Sequence, residues 1–228
     1  MGRDKLWAEV GGRPLIAWAI EVFGDSPLIE ALVVVARKAS IGAMKDLLGV
    51  LGVVGQVVEG GSRRQDSVRA GLEVLPDADW VVVHDGARPC VPADLIARGL
   101  EAARATGAAL AAVPVVDTLK WVENGTVTGT ANREALWAAQ TPQVFRRELL
   151  WRAHQAASGE ATDDSALVEA LGVPVHVFMG DTGNIKVTTM LDLQIVDALL
   201  RTRGVNSRSS VSGEPEYGFD VEGEGAQR

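Results

Sequence analysis

Residues 80–89 read WVVVHDGARP, and this stretch decides how the rest of the chain is interpreted. A short, continuous apolar run is typical of a strand that is covered on both faces. The run stops at His84 and Asp85, and Gly86 follows as a turn residue. In α/β enzymes a carboxylate at the carboxyl end of such a strand holds a divalent cation or a ribose hydroxyl, but an aspartate there can equally cap the next turn. Spacing alone leaves both interpretations of Asp85 open.

Apolar runs and helical patterns alternate on both sides of this stretch. Strands are predicted at 31–36, 53–58, 80–84, 108–116 and 174–179. Helices are predicted at 14–23, 41–48, 62–75, 92–107, 147–157, 164–171 and 190–202. Strands that alternate with helices favour an α/β fold with a mostly parallel sheet and helices on both faces. Ligands of such sheets bind at the carboxyl ends of the strands, the edge at which Asp85 is predicted to lie.

The composition is that of an ordinary globular domain. The 228 residues include 22 Lys and Arg, 30 Asp and Glu and 47% hydrophobic residues, for a formal net charge of -8. The apolar fraction excludes bulk disorder, and the negative charge argues against a nucleic-acid binder driven by overall charge, so an anionic ligand must meet a local basic cluster. No apolar run is long enough to span a bilayer or to act as a signal peptide. The single cysteine, Cys90, excludes a disulfide framework, favours the cytoplasm and leaves too few ligands for a Cys/His zinc site.

A hairpin interrupts the alternation after the fourth predicted strand. Residues 118–130 read TLKWVENGTVTGT, and Asn124-Gly125 between two β-prone runs is a strong signal for a two-residue turn. The hairpin has too few apolar side chains for a core of its own, so it should pack on something else, for which a second subunit is a candidate. We therefore predict one domain over 1–202 with an arm at about 118–142. A flexible tail or linker, rich in Ser, Gly, Glu and Arg, is predicted over 203–228.

Further segments carry groups that could bind an anion. Residues 59–68 (EGGSRRQDSV) enter a helix through two glycines, so backbone N–H groups with serine and arginine side chains could form an anion or nucleotide site. Residues 180–188 (GDTGNIKVT) present Lys186 on a turn after a strand, and Arg133 follows the hairpin. Each feature also has an ordinary structural explanation. Residues 59–68 could be a common strand-to-helix turn, Lys186 a solvated lysine and Arg133 a surface arginine. Lys5, close to the terminus, indicates nothing by itself.

The order of these segments is more specific than any one of them. Along the chain they read GGRPLIAWA, EGGSRRQDSV, VVHDGARP, AAVPVVDTLK, NREALWAAQTPQVF, ATDDSALVE and GNIKVTTMLDL. From residue 1 to about 202 the series resembles the 2-C-methyl-D-erythritol 4-phosphate cytidylyltransferases of the non-mevalonate isoprenoid pathway, with HDGARP and NIKVT as its specific motifs. The resemblance implies a Rossmann-like nucleotidyltransferase fold, CTP as donor, methylerythritol phosphate as acceptor, Mg²⁺ as cofactor and a homodimer joined by projecting β-arms.

The resemblance also assigns roles to individual residues. It implies that Asp85 binds the metal and the substrate phosphates, and that Lys5 and Lys186 flank the reacting α-phosphate. The catalytic residues that the resemblance implies are Lys5, Lys186 and Arg133, and the partner's arm is expected to supply Arg133 and Thr118. The positions matched to CTP are Gly61, Arg64, Ser67, Asp85 and Gly86. The positions matched to methylerythritol phosphate are Asp85, Arg88, Thr118, Arg133, Thr141, Thr162 and Lys186.

Both ends of the sequence depart from the family's pattern. Family members begin with an apolar strand and a loop of the type A-A-G-x-G-x-R-M-G, which cradles the triphosphate. This sequence opens on MGRDK, which resembles the last residues of that loop, so we expect the chain as given to be a poor or inactive catalyst. Residues 217–221 (YGFDV) faintly resemble the start of a cyclodiphosphate synthase that is fused to this enzyme in some bacteria, with Glu222 at that family's metal-binding histidine.

Two other functions stay open on the sequence. A cytidylyltransferase for another polyol phosphate, such as ribitol 5-phosphate, would have the same fold and mechanism. A non-catalytic nucleotide-binding or interaction protein would fit a chain without the phosphate loop. Pyrophosphate release from CTP, measured with each polyol phosphate, separates the two acceptors, and an in-frame strand-loop coding stretch in the upstream DNA would argue against a non-catalytic protein.

Overall fold

The structure, a computed structural model, describes residues 5–208, with the backbone alone for 203–208. The helices in this range are α1 (Leu15–Gly24), α2 (Ile41–Leu51), α3 (Arg64–Glu73), α4 (Asp94–Ala103), α5 (Arg147–Ala156), α6 (Asp164–Glu169) and α7 (Met190–Arg208). The strands are β1 (Glu9–Val10), β2 (Arg13–Pro14), β3 (Val33–Ala36), β4 (Gln56–Glu59), β5 (Trp80–Val83), β6 (Ala108–Pro114), β7 (Lys120–Glu123), β8 (Thr126–Thr130), β9 (Trp137–Arg146) and β10 (His176–Met179). Short 3₁₀ turns lie at Lys5–Trp7, Lys38–Ser40 and Arg133–Ala135.

Most strands of the main sheet share one direction, as predicted. β10, β6, β9 and β5 lie side by side in that order, and β10 pairs in parallel with β6. β9 runs antiparallel to both of its neighbours, so β5, β6 and β10 point the same way. β3 and β4 form a separate parallel pair. The predicted α/β fold is confirmed, and the main sheet is mixed because β9 is reversed.

Strand β9 is the principal element that the sequence interpretation missed. It contains Pro142, which cannot donate to a sheet ladder and argues against a central strand. The structure accommodates the proline in an irregularity, because β6 pairs with β9 on either side of residues 140–142 but with none of those three. Val144 and Phe145 resume the ladder and are fully buried. The bulge releases Thr141 from the ladder, so its side chain can serve another purpose.

Helices α1 and α4 bury apolar faces that hold the strands in place. Leu95 and Ile96 of α4 are fully buried in one core cluster with Val144 of β9. Gly99 permits this close approach, because a Cβ there would lie 2.8 Å from Val144 Cγ2. Ile16 of α1 packs in a second cluster with residues of β3 and α2. The two clusters stabilise the strands whose carboxyl ends carry the loops described below.

The hairpin predicted around Asn124-Gly125 is confirmed. β7 and β8 pair antiparallel, and Asn124 (φ 49°) and Gly125 (φ 78°) both adopt positive φ at the turn, as a two-residue hairpin loop of the primed type requires. Every residue of β7 is exposed, including Trp121, which is 65% exposed. Within residues 5–208 the hairpin therefore carries apolar side chains that the rest of the chain does not cover.

The last helix and the strand edges complete the fold. α7 continues to Arg208, beyond its predicted end at 202 and into the first residues of the predicted tail. The rest of that tail, including YGFDV, lies outside the described residues. In the described part of the chain β3 pairs only with β4 and β5 only with β9. None of the helices between residues 5 and 208 combines the length and the apolar character needed to cross a bilayer.

Candidate active site

The loop that follows β5 places Asp85 at the carboxyl end of the strand, as the sequence predicted. β5 ends at Val83, so His84 already belongs to the loop. The N–H of Asp85 donates to Thr141 Oγ1 at 3.0 Å, and the Asp85 carbonyl accepts the N–H of Arg88 at 2.9 Å. Gly86 lies in this turn, where an added Cβ would stand 3.1 Å from an Ile16 side-chain carbon. The backbone on both sides of the carboxylate is therefore fixed.

Three cationic side chains converge on the Asp85 carboxylate. Lys186 Nζ lies 2.8 Å from Oδ2, Arg64 Nε lies 3.3 Å from Oδ1, and Arg88 Nε lies 3.6 Å from Oδ2. Burial disfavours the carboxylate form, but the hydrogen bond and charge of Lys186 and the charges of the two arginines outweigh it and lower the pKa of Asp85. Arg64, Asp85, Arg88 and Lys186 form what we call the Asp85 cluster. Its excess of positive charge attracts phosphate, although the whole chain is acidic.

Arg88 joins two of the loops that build the cluster. Its Nη1 donates to the Asn184 carbonyl at 2.8 Å, and its Nη2 donates to the Ala139 carbonyl at 3.4 Å. Burial lowers the pKa of Arg88, while its interaction with Asp85 opposes that change. The N–H of Val187 donates to the Ala87 carbonyl at 2.8 Å and ties the same two loops together. Because both Nη atoms donate to backbone carbonyls, Arg88 connects the loops that form the site as well as contributing positive charge to it.

The loop that carries Lys186 is anchored on each side of the lysine. Asn184, fully buried, donates from Nδ2 to the Thr141 carbonyl at 2.7 Å. After the lysine, the Asp192 carboxylate accepts the N–H groups of Thr188 and Thr189 and caps α7. The Lys186 side chain itself stays 42% exposed. A fixed backbone and an exposed ammonium group suit a residue that meets an anionic ligand.

Thr141 was predicted to contact the acceptor substrate, and the structure shows it buried and bonded to protein groups. Its hydroxyl lies 3.0 Å from His84 Nδ1 and accepts the N–H of Asp85. His84 Nε2 lies 3.1 Å from the Arg88 carbonyl, which can only accept, so Nε2 carries the proton and Thr141 donates to Nδ1. Burial lowers the pKa of His84 to about 4, which favours this neutral form. His84 and Thr141 together hold the Asp85 backbone, a role that the motif did not reveal.

The turn between β4 and α3 positions Arg64 as the first residue of the helix. Asp66 accepts hydrogen bonds from the backbone and side chain of Arg63, which lowers the pKa of Asp66 to about 2 and closes a capping box. Gly61 is required here, because a Cβ would lie 2.3 Å from Asp66 Cβ. Ser67 donates to the Arg63 carbonyl. The predicted nucleotide segment thus brings Arg64, but not Arg63, into the Asp85 cluster.

Four predicted site residues make no direct polar contact with this cluster in the described part of the chain: Lys5, Thr118, Arg133 and Thr162. Within residues 5–208, no hydrogen bond or ion pair joins their side chains to it. Arg133 donates to the Val116 carbonyl at 2.7 Å, at the base of the arm, in a groove also lined by Trp137. Thr118 and Thr162 are exposed. Lys5 is next to Leu6, whose Cδ2 would lie 3.7 Å from a Cβ added at Gly86, so this end of the described chain lies beside the Asp85 loop.

Comparison with known proteins points to one family. The family model for 2-C-methyl-D-erythritol 4-phosphate cytidylyltransferase matches residues 1–202. A relative of that name from Dehalococcoides mccartyi strain CBDB1 is 43% identical over 203 residues, which are 88% of this chain and 89% of the relative. The crystal structure of 4-diphosphocytidyl-2C-methyl-D-erythritol synthase from Anaerococcus prevotii superposes with a TM-score of 0.80 at 31% identity and covers 86% of this chain and 93% of its own. The cytidylyltransferase from Thermus thermophilus gives a TM-score of 0.73 at 38% identity, with 86% of this chain and 94% of that chain covered.

Proposed function

The chain belongs to the 2-C-methyl-D-erythritol 4-phosphate cytidylyltransferase family, and we propose that it transfers CMP from CTP to 2-C-methyl-D-erythritol 4-phosphate with release of pyrophosphate. The family match covers the whole predicted domain, 1–202, and the relatives described above carry the name of this acceptor rather than of another polyol phosphate. The Asp85 cluster is the structural observation that carries the proposal. Three cations held around one carboxylate at the carboxyl end of β5 suit a reaction between two anions.

The chemistry needs charge and positioning rather than a general base. The nucleophile is a phosphate monoester oxygen, which is already anionic at neutral pH. It attacks the α-phosphorus of CTP, the bond from that phosphorus to the oxygen of the β-phosphate breaks, and pyrophosphate leaves with the electron pair. Cations at the α-phosphate offset the repulsion between the reactants and the charge that develops as pyrophosphate leaves. In the proposed site Lys186 supplies this charge, Lys5 is expected to act from the other side, and Arg64 binds CTP.

Asp85 is also the proposed ligand of Mg²⁺. Within residues 5–208 no group of three or more His, Cys, Asp and Glu side chains could hold a metal ion by itself. Mg²⁺ commonly takes one or two carboxylates together with phosphate oxygens and water, so one aspartate beside a polyphosphate site fits this ion. When bound, the ion would neutralise phosphate charge and orient the leaving group. Asp85 would have to exchange part of its contact with Lys186 and Arg64 for the metal, which would leave those cations available to the phosphates.

The arm is the proposed dimer contact. Its apolar side chains are exposed, with Trp121 65% and Val127 57% exposed, and a two-stranded hairpin is too small to be stable alone. In the proposed homodimer Thr118 and Arg133 serve the neighbour's Asp85 cluster, which agrees with the lack of any hydrogen bond or ion pair, within residues 5–208, between them and the cluster of their own chain. We also place the enzyme in the cytoplasm, a proposal supported by its single cysteine.

The test measures pyrophosphate release with CTP, Mg²⁺ and 2-C-methyl-D-erythritol 4-phosphate, with ribitol 5-phosphate as the alternative acceptor. The assay uses a form with an apolar strand and a glycine-rich phosphate loop added before Met1, and turnover with the first acceptor and little with the second is expected. Asp85→Ala should abolish Mg²⁺-dependent turnover while the protein remains folded by circular dichroism. Asp46→Ala, which removes an exposed carboxylate from α2, is the matched control and should keep the wild-type rate. A near-normal rate in Asp85→Ala would remove this residue from the site.

A further inference from the structure

Arg64 is shared between two carboxylates. Its Nε lies 3.3 Å from Asp85 Oδ1, whereas its Nη1 lies 2.6 Å from Asp164 Oδ2. The contact with Asp164 is the shorter one, in the range of a strong charge-assisted hydrogen bond. Burial works against the charged form of Arg64, but Asp164 and Asp85 outweigh it and raise the pKa of the guanidinium. The side chain is therefore a fixed cation whose direction is set mainly by Asp164.

Asp164 is itself held from the side away from Arg64. Its side chain is 1% exposed, and its second oxygen, Oδ1, lies 3.0 Å from Nε2 of His154 on α5. An ionised carboxylate only accepts, so the imidazole donates. The His154 side chain is also 1% exposed. Leaving either group without its partner in this buried position would be costly, so the pair is expected to keep its arrangement when ligands bind near Asp85.

We propose that Asp164, held by His154, is a positioning residue that keeps Arg64 directed at the phosphates of CTP when Asp85 turns to its ligands. The inference rests on the proposed function, in which Arg64 binds CTP. Arginine suits the task because its planar fork can stay bonded to Asp164 through Nη1 while its other donors face a ligand. Nη2 of Arg64 makes no hydrogen bond to the described residues, so a donor is available for a phosphate oxygen.

The experiment is a double-mutant cycle between Asp164 and Arg64, read out as KM and kcat for CTP and as the Kd for CTP from calorimetry. Asp164→Ala should raise KM and Kd by about tenfold, because an unanchored arginine must be ordered by the ligand, and should change kcat by less than about threefold. In an Arg64→Ala background the same substitution should have no further effect. Glu169→Gln removes an exposed carboxylate from the same helix, α6, and should match the wild type.

Asp164→Asn keeps the test decisive if the alanine variant fails to fold. The amide oxygen can still accept from Arg64, and the amide NH₂ can donate to His154 if the ring changes tautomer, so only the charge is lost. A smaller rise in KM, again absent without Arg64, is expected. A folded Asp164 variant with wild-type KM and Kd would overturn the inference, as would an equal rise in both backgrounds. Absence of CTP turnover in the form extended before Met1 by a strand and a glycine-rich loop would instead refute the proposed function, and the Kd measurements would still test the role of Asp164.

Discussion

His84 should make the stability of the protein depend on pH in a range where few other groups titrate. The imidazole is partly buried, and its neutral form bonds both Thr141 and the Arg88 carbonyl. Burial lowers its pKa from 6.5 to about 4. Because the folded pKa lies below the unfolded one, the neutral ring favours the folded state. This contribution is complete above the unfolded pKa and is lost as the pH falls from 6.5 towards 4.

The size of the effect follows from the shift. One pKa unit corresponds to about 1.4 kcal/mol, so the full contribution of His84 is about 3 kcal/mol. Between pH 7 and pH 5 the same linkage relation gives a loss of about 2 kcal/mol in the free energy of unfolding. Asp66 and Asp192, whose carboxyl pKa values are lowered to about 2, lose their contributions only below the ordinary value of 3.8. Between pH 5 and pH 7 the change in unfolding free energy therefore reports on histidine rather than on these carboxylates.

Urea unfolding followed by tryptophan fluorescence at pH 5, 6 and 7 measures this loss. In His84→Gln the side chain at position 84 no longer titrates, so the unfolding free energy of this variant should vary between pH 5 and pH 7 by about 2 kcal/mol less than that of the wild type. The matched control is His176→Gln, since His176 is exposed on β10, and it should retain the wild-type dependence. An equal loss in the wild type and in His84→Gln would show that the His84 imidazole is not the source.

Three further predictions concern the site, the arm and the last helix. Lys186→Ala should lower kcat by roughly 10²–10³-fold with little change in CTP affinity, because the ammonium group faces charge that grows in the transition state. A drop in CTP affinity at unchanged kcat would show instead that Lys186 only binds CTP in the ground state. Replacing residues 119–130 by a short Gly/Ser turn should convert a dimer to a monomer in sedimentation and remove activity, and a fully active dimer would contradict the shared-site arrangement. Above pH 3.8 the ionised Asp192 carboxylate caps α7 and stabilises the wild type, so Asp192→Asn should be less stable there. The wild type loses this advantage as the pH falls towards 2, so the stabilities of the two proteins, measured by thermal unfolding, should converge near pH 2.

The fold was largely predictable because its signals are local. The apolar runs that became β3, β5 and β10 and the helical patterns between them are visible in short windows. The Asn124-Gly125 turn is equally local. β9 was not predictable in this way, since Pro142 and the lack of alternation conceal a strand that its neighbours β5 and β6 impose.

The site could be predicted only in part. Residue spacing indicates Asp85 and Lys186 only as separate candidates, and the order of the motifs along the chain assigns them to one site. In the structure Lys186 Nζ lies 2.8 Å from Asp85 Oδ2. Asp164 and His154 gave no signal, because their importance depends on contacts that packing alone creates, across 100 residues from Arg64 to Asp164. Buried polar pairs of this kind depend on the whole fold, and no short motif encodes them.

Strand β9 makes the tolerance of this protein to mutation uneven. Phe145 and Val144 fill the core, while Gln143, just before them, donates to Asp163, and Thr141 holds the backbone of Asp85. One short segment therefore maintains both the stability and the geometry of the site, and a shift of its register by one residue would move every side chain to the opposite face. Directed evolution of acceptor specificity should accept few changes in β9, and a stabilising substitution there is expected to alter turnover as well.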